Sequence, residues 1–274
     1  MLNPSPATPA LGRTRSSRPI VFITGASSGI GAALARTYAA QGAHLGLVAR
    51  RGDALTALAN ALPVPCRIYP LDVSDAPALA AAAADFINTV GVPDIVIANA
   101  GISVGTLTQE VDDLPAFRRV FDINVMGMLH TFQPFIGAMQ AAQNGRLVGI
   151  ASVAGIRGLP GAGAYSASKA AAIAYLESLR VELRGSGIQV VTLAPGYIAT
   201  PMTAQNPYPM PFLMPVDAAA RSMVRHIARG SRYAVMPWPM GIVAAFLKWL
   251  PRPLFDAIFM HAGRKPRGSS NVRA

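Results

Sequence analysis

The chain of 274 residues has a single cysteine, Cys66, which excludes an internal disulfide and a fold stapled by cross-links. Cys66 lies in an apolar run that reads as a buried strand, and an unpaired thiol points to a reducing compartment, hence the cytoplasm. Acidic residues are scarce, 13 against 24 basic ones, and only three of the basic residues are lysine. Charged residues make up 14% of the chain and hydrophobic ones 52%, which excludes a disordered protein and suits a large core. His44, His130, His226 and His261 lie far apart without metal-ligand spacing, so no metal is expected. Residues 1–18 lack the apolar stretch of a secretory signal and read as a disordered basic arm rich in Pro, Ser, Thr and Arg. The apolar run 239–250 ends at Pro251, Arg252 and Pro253, well short of the ~20 residues that span a bilayer.

The net charge of +11 sits mostly in the two tails. Arg13, Arg15 and Arg18 face no acid in the arm, and residues 238–274 carry six basic side chains against Asp256 alone. The body between them is nearly balanced and has no basic stripe, so a nucleic-acid partner is not expected.

From Pro19 onward, short apolar runs alternate with Ala-rich helical patterns. PIVFITG, HLGLVAR, CRIYPLDV, DIVIANAG, RLVGIAS and IQVVTLAPG are the strand candidates. Strands separated by helices imply βαβ units and a parallel sheet, in an α/β, Rossmann-type doubly wound fold with helices on both faces. One domain is expected over 19–237, followed by an extension over 238–274. Ligands of such sheets bind beyond the carboxyl ends of the strands, so the residues just after each apolar run are the ones to inspect.

The first run leads into TGASSGIG, with Gly25, Gly29 and Gly31, and then a helix marked by Ile30, Leu34 and Tyr38. Glycines there let backbone approach a pyrophosphate, and the helix N-terminus offers free N–H groups and a favourable dipole. A tight strand-to-helix turn without a ligand is the alternative. At the end of the second run stand Arg50 and Arg51, where an acid would bind the adenosine ribose and a base the 2′-phosphate. Guanidinium groups fit phosphate by bidentate geometry, so NADP(H) is expected over NAD(H). Asp72 ends the third run, either to accept from the adenine amino group or to cap its own turn.

Ser152 follows the fifth run, and Tyr165 and Lys169 stand four residues apart in a helical pattern, hence on one face. Composition alone would give only about 0.08 such Tyr-x-x-x-Lys pairs, so the pair is informative. A phenol has a pKa of about 10, and a neighbouring ammonium favours its ionised form. Tyr165 then acts as acid or base toward an alcohol/carbonyl pair, Ser152 orients and polarises the carbonyl, and hydride comes from the nicotinamide.

These motifs together, with ANAG at 98–101, Asn124 in FDINVMG and PGYIAT at 195–200, resemble the short-chain dehydrogenase/reductase family over about residues 19–200. The resemblance implies a seven-stranded parallel sheet, a homodimer or homotetramer, and a catalytic group of Asn124, Ser152, Tyr165 and Lys169. Asn124 would serve a water-linked proton path to Lys169, and Lys169 would also bind the nicotinamide ribose. The implied dinucleotide site takes Gly25, Ser27, Ser28, Gly29, Ile30 and Gly31 from the phosphate loop and Arg50 and Arg51 after the second strand. Asp72, Val73, Asn99, Ala100, Gly101, Pro195, Gly196, Ile198 and Thr200 complete it with Tyr165 and Lys169. Ala98 departs from the commoner Asn, and no basic residue precedes Gly29, so NADP preference rests on Arg50 and Arg51. An NADP-binding sensor or scaffold on the same fold is the competing reading.

Beyond PGYIAT the resemblance places a variable substrate lid, about 197–215. Met202, Tyr208, Met210, Phe212, Leu213 and Met214 there suit an apolar, lipid-like carbonyl or alcohol, unless they close onto the protein itself. In the extension, Trp238, Phe246, Trp249, Phe255 and Phe259 with basic neighbours fit peripheral docking on an anionic membrane, against packing over the substrate mouth or a partner subunit.

Overall fold

A computed structural model describes residues 18–267. The arm expected over 1–18 therefore lies outside the described residues except for Arg18, as does the end of the extension. The elements in order are Ile20–Thr24 (β1), Gly29–Ala39 (α1), His44–Ala49 (β2), Gly52–Asn60 (α2), Cys66–Pro70 (β3), Ala76–Thr89 (α3) and Ile95–Ala98 (β4). Then come Leu114–Phe121 (α4), Gly127–Ala141 (α5), Gly145–Ile150 (β5), Gly163–Glu182 (α6), Ile188–Pro195 (β6), Ile198–Ala199 (β7) and Met214–Pro215 (β8). Val216–Ala228 (α7), Tyr233–Met236 (β9), Trp238–Trp249 (α8) and Arg252–Phe259 (α9) follow.

Seven strands form one parallel sheet in the order β3-β2-β1-β4-β5-β6-β9. Strand alternation divides its core in two. Val21 and Ile23 of β1 face one side, with Leu34 of α1, Leu55 of α2 and Met223 of α7. Ile20 and Phe22 face the other, with Phe86 of α3, Phe135 of α5 and Leu176 of α6. Burial on both faces explains why the strands read as continuous apolar runs rather than alternating ones.

All six strand candidates are present. The seventh strand, β9, is four residues long and carries the exposed Tyr233, too short and too mixed to stand out by pattern. One expectation is corrected: Cys66 is half-buried, because β3 is an edge strand paired only with β2. The chain runs outward from β1 to β3 and then returns to place β4 on the opposite side of β1. This reversal opens a crevice above the carboxyl ends of β1 and β4, where open α/β sheets bind ligands.

No described helix is long and apolar enough to cross a membrane. Helix α8 buries Met240 and Ala244 and turns Trp238, Ile242, Phe246 and Trp249 outward.

Candidate active site

The crevice is framed by backbone held against backbone. Gly25 has φ +67°, and a Cβ there would lie 2.7 Å from Ala100 Cα. A Cβ on Gly31 would lie 2.2 Å from the Gly25 carbonyl oxygen, so Gly31 packs the first turn of α1 under the loop rather than lining the cleft. Buried Thr24 accepts hydrogen bonds from the Asn99 and Ala100 N–H groups, at 3.2 and 3.4 Å. The Asn99 side chain donates to the carbonyls of Thr24 (3.0 Å) and Gly25 (3.2 Å). Through these bonds β4 fixes the loop that follows β1. Ser28 makes no side-chain cap on α1, which leaves first-turn N–H groups available to an anion.

At the far end of the crevice, Arg51 donates to Ser27 Oγ at 3.1 Å, and Arg50 stands 3.9 Å from Asp72. Asp72 accepts from the Ser74 N–H (2.9 Å) and hydroxyl (2.8 Å), and from the Arg119 guanidinium. Burial opposes ionisation of Asp72, but these bonds outweigh it and hold the carboxyl below the usual range. Of the two roles open to Asp72, turn capping is the one displayed, and its carboxylate still borders the cleft. Arg119, which reaches it from α4, had no motif to mark it.

Ser152 follows β5 and accepts from the Ala154 N–H at 3.2 Å, which fixes its hydroxyl at the start of a short helical turn. Tyr165 and Lys169 stand one turn apart on α6, with Lys169 Nζ 5.9 Å from the Tyr165 ring centre. Lys169 is 4% exposed and donates to the Ile150 carbonyl at 2.7 Å. Asn124 lies in a π-helical turn, Asp122–Met126, between α4 and α5, where the sequence suggests an ordinary helix. Its oxygen accepts from the Ile102 N–H (2.8 Å), and its amide donates to the Ile102 carbonyl (3.0 Å) and Ser168 Oγ (2.9 Å). A Cβ on Gly101 would meet Asn124 Oδ1 at 3.1 Å and Lys169 Nζ at 3.6 Å, so the two side chains converge on that glycine.

The electrostatics differ from the expectation that Lys169 chiefly sets the acidity of the phenol. Burial pushes the Tyr165 phenol up, and its hydrogen bond with the Ser152 hydroxyl opposes that rise. Burial also pulls the Lys169 ammonium down to about 8. Loss of hydration is therefore the larger influence on both groups.

The cleft has a volume of about 320 Å³. Of the residues expected at the dinucleotide, Ser27, Ser28, Gly29, Ile30, Arg50 and Arg51 line one end. Val73, Asn99, Ala100, Gly101, Tyr165, Lys169, Pro195, Gly196, Ile198 and Thr200 line the remaining wall, where Thr200 stands against the phosphate loop, 3.4 Å from a Cβ placed on Gly29. Ser152 and Asn124 stand just behind this wall. The expected lid is bracketed by the β7–β8 pair, and its Tyr208 packs edge-on against Tyr197, with ring centres 6.4 Å apart. Sequence reasoning missed Lys265, whose ammonium lies 5.9 Å from the Tyr165 ring centre and donates to Ser103 Oγ at 2.7 Å.

A family model described as short chain dehydrogenase matches residues 19–209. An uncharacterized oxidoreductase of Myxococcus xanthus is 40% identical over 239 residues, 86% of this chain and 94% of that protein. An alcohol dehydrogenase from the archaeon Thermococcus sibiricus, complexed with 5-hydroxy-NADP, superposes with a TM-score of 0.71 at 25% identity, covering 80% of this chain and 95% of that one. A 3-oxoacyl-[acyl-carrier protein] reductase with bound NAD from Brucella melitensis gives a TM-score of 0.71 at 30% identity, covering 81% and 90%.

Proposed function

Because the chain belongs to the short-chain dehydrogenase family, we propose that this oxidoreductase uses NADP(H) to interconvert an alcohol and a carbonyl on a largely apolar substrate. The observation that carries the reading is the meeting of Ser152, Tyr165, Lys169 and Asn124 at one end of a glycine-framed cleft whose other end holds two arginines. The lining suits a dinucleotide: Gly25 lets the loop lie against Ala100 with no side chain between them, and the exposed Arg50 and Arg51 border the cleft, where they would exchange their contacts with Asp72 and Ser27 for a 2′-phosphate. The Thermococcus sibiricus protein holds 5-hydroxy-NADP and the Brucella melitensis protein NAD, so the two arginines are the basis for preferring NADP(H).

Bound nicotinamide supplies or accepts the hydride. Tyr165 donates its phenolic proton to the carbonyl oxygen in reduction and takes it back in oxidation. Ser152, held by the Ala154 N–H, directs its hydroxyl at the same oxygen and eases the charge that develops there. Lys169, whose ammonium burial draws down to about 8, donates to the Ile150 carbonyl and offers its remaining N–H groups to the nicotinamide ribose. Asn124 is a positioning residue, clamped on both sides by the Ile102 backbone. Exposed Met202, Phe212 and Leu213 on the lid favour an apolar substrate body.

Tyr165→Phe is expected to lower turnover by about 10²–10⁴-fold while NADPH still binds, measured by nucleotide fluorescence alongside a screen of graded ketones and aldehydes. Turnover like that of the unmodified protein would refute the role. Binding of NADPH with no carbonyl reduced by either protein would instead favour the sensor.

The outer face of α8 favours a second, separate reading. Trp238 is 75% exposed and Trp249 83%, with Ile242 and Phe246 between them and Lys248 and Arg252 alongside. Aromatics beside cations fit an anionic bilayer surface. Co-sedimentation with vesicles containing phosphatidylserine is expected, with loss in Trp238→Ser/Trp249→Ser. A monomer–dimer shift in that variant without vesicle binding would assign the face to a second copy.

A further inference from the structure

The segment after α9 returns across the reaction end of the cleft and is fastened there. The Gly105 N–H donates to the Pro266 carbonyl at 3.0 Å, and Gly105 and Arg267 form a parallel bridge. Arg267 Nε donates to Asp113, which is 3% exposed, at 3.0 Å, and its Nη2 lies 3.2 Å from Glu110. The approach is close: a Cβ on Gly105 would lie 2.3 Å from the Lys265 carbonyl oxygen.

This seating presents Lys265 beside Tyr165. Its ammonium is as far from the phenol ring, 5.9 Å, as that of Lys169, and it donates to Ser103 Oγ. Burial draws it down to about 8, as it does Lys169. Lys169 donates a hydrogen bond to a backbone carbonyl, whereas among the described residues Lys265 has one hydroxyl partner and no carboxylate. The acids at this end, Glu110 and Asp113, are engaged by Arg267. A partly buried cation lacking a counter-charge is costly, and a neutral ketone alone would leave it so.

We propose that Lys265 is a specificity-determining residue that binds a carboxylate of the substrate next to the reacting carbonyl, so that the preferred substrates are oxo acids and the matching hydroxy acids with an apolar body. The assignment rests on the oxidoreductase reading above. The carboxylate is a spectator: hydride passes to the carbonyl carbon, the Tyr165 proton to its oxygen, and the lysine keeps its protons. Ser103 holds the ammonium in place from the loop after β4.

The test uses the full chain with NADPH and two probe pairs, acetoacetate and 3-oxohexanoate against their methyl esters. The acids are expected to exceed the esters in kcat/KM by about 100-fold, the scale of a charge-assisted bond to a withheld cation. Lys265→Met should erase that preference by lowering kcat/KM far more for the acids than for the esters, and Lys265→Arg should restore part of it. Calorimetry with hexanoate and hexanamide on the NADPH-loaded protein reads the same contact without turnover. Equal handling of acid and ester by the unmodified protein, or an equal loss for both in Lys265→Met, would overturn the assignment. Lys265-dependent binding of hexanoate with no ketone reduced would uphold the carboxylate contact while removing the oxidoreductase reading. Ester reduction without acid preference would do the reverse.

Discussion

The two ends of the cleft are built differently. At the phosphate loop, the walls are strand ends and the first turn of α1, and the decisive contacts are backbone on backbone: Gly25 on Ala100, Gly31 on Gly25. At the substrate end, the walls are a lid between β7 and β8 and a segment that arrives after the last helix, joined to the body by one backbone bridge at Gly105 and by long-range side-chain contacts. Lys265 and Ser103 are 162 residues apart in the chain, and Arg267 and Asp113 are 154 apart. The first end takes its shape from the sheet, and any sequence able to form those turns reproduces it. The second depends on a few distant side chains, so it is the end that can change its ligand without disturbing the fold.

Two substitutions sharpen this contrast. Replacing Arg50 and Arg51 together by alanine acts at the end built by the sheet but touches only its exposed side chains. The Michaelis constant for NADPH is expected to rise by about 10–100-fold, from the loss of charge-assisted bonds, with that for NADH little altered. Equal effects on both cofactors in steady-state kinetics would contradict a 2′-phosphate contact. Gly105→Ala acts at the other end, where the added methyl must push the Lys265 backbone away. Overpacking of this kind costs about 1–3 kcal/mol, and kcat/KM for a reducible ketone is expected to fall by roughly 10-fold while the NADPH dissociation constant holds. If cofactor affinity fell in step with turnover, the two ends would not be independent.

The same division explains what was legible in the sequence. Strands buried on both faces print themselves as apolar runs, and glycines forced by close backbone approach leave a motif, so the sheet and phosphate loop could be read directly. The Tyr165–Lys169 spacing was legible because one helical turn is a local rule. Asn124 was reached only through the family resemblance, because its place depends on a π turn whose residues, DINVM, look like any helix. Arg119 and Lys265 were hidden for a different reason. Each reaches its partner only through tertiary packing, and within the sequence they pass for members of an arginine pair and of a basic tail. The edge position of β3 escaped notice as well, since the apolar run around Cys66 gives no sign of which neighbours a strand will have.

The π turn also makes residue count a functional quantity. Between Leu114 and Ala141 the chain is helical almost throughout, and a regular helix in its place would need no special spacing. The extra residue taken up at Asp122–Met126 rotates everything beyond it by about a quarter of a turn relative to an unbroken α-helix. Loss of one codon in this stretch, even one encoding an inconspicuous side chain, would leave a smoother helix whose amide no longer faces the Ile102 backbone. In this segment, length carries information that substitution alone would not reveal.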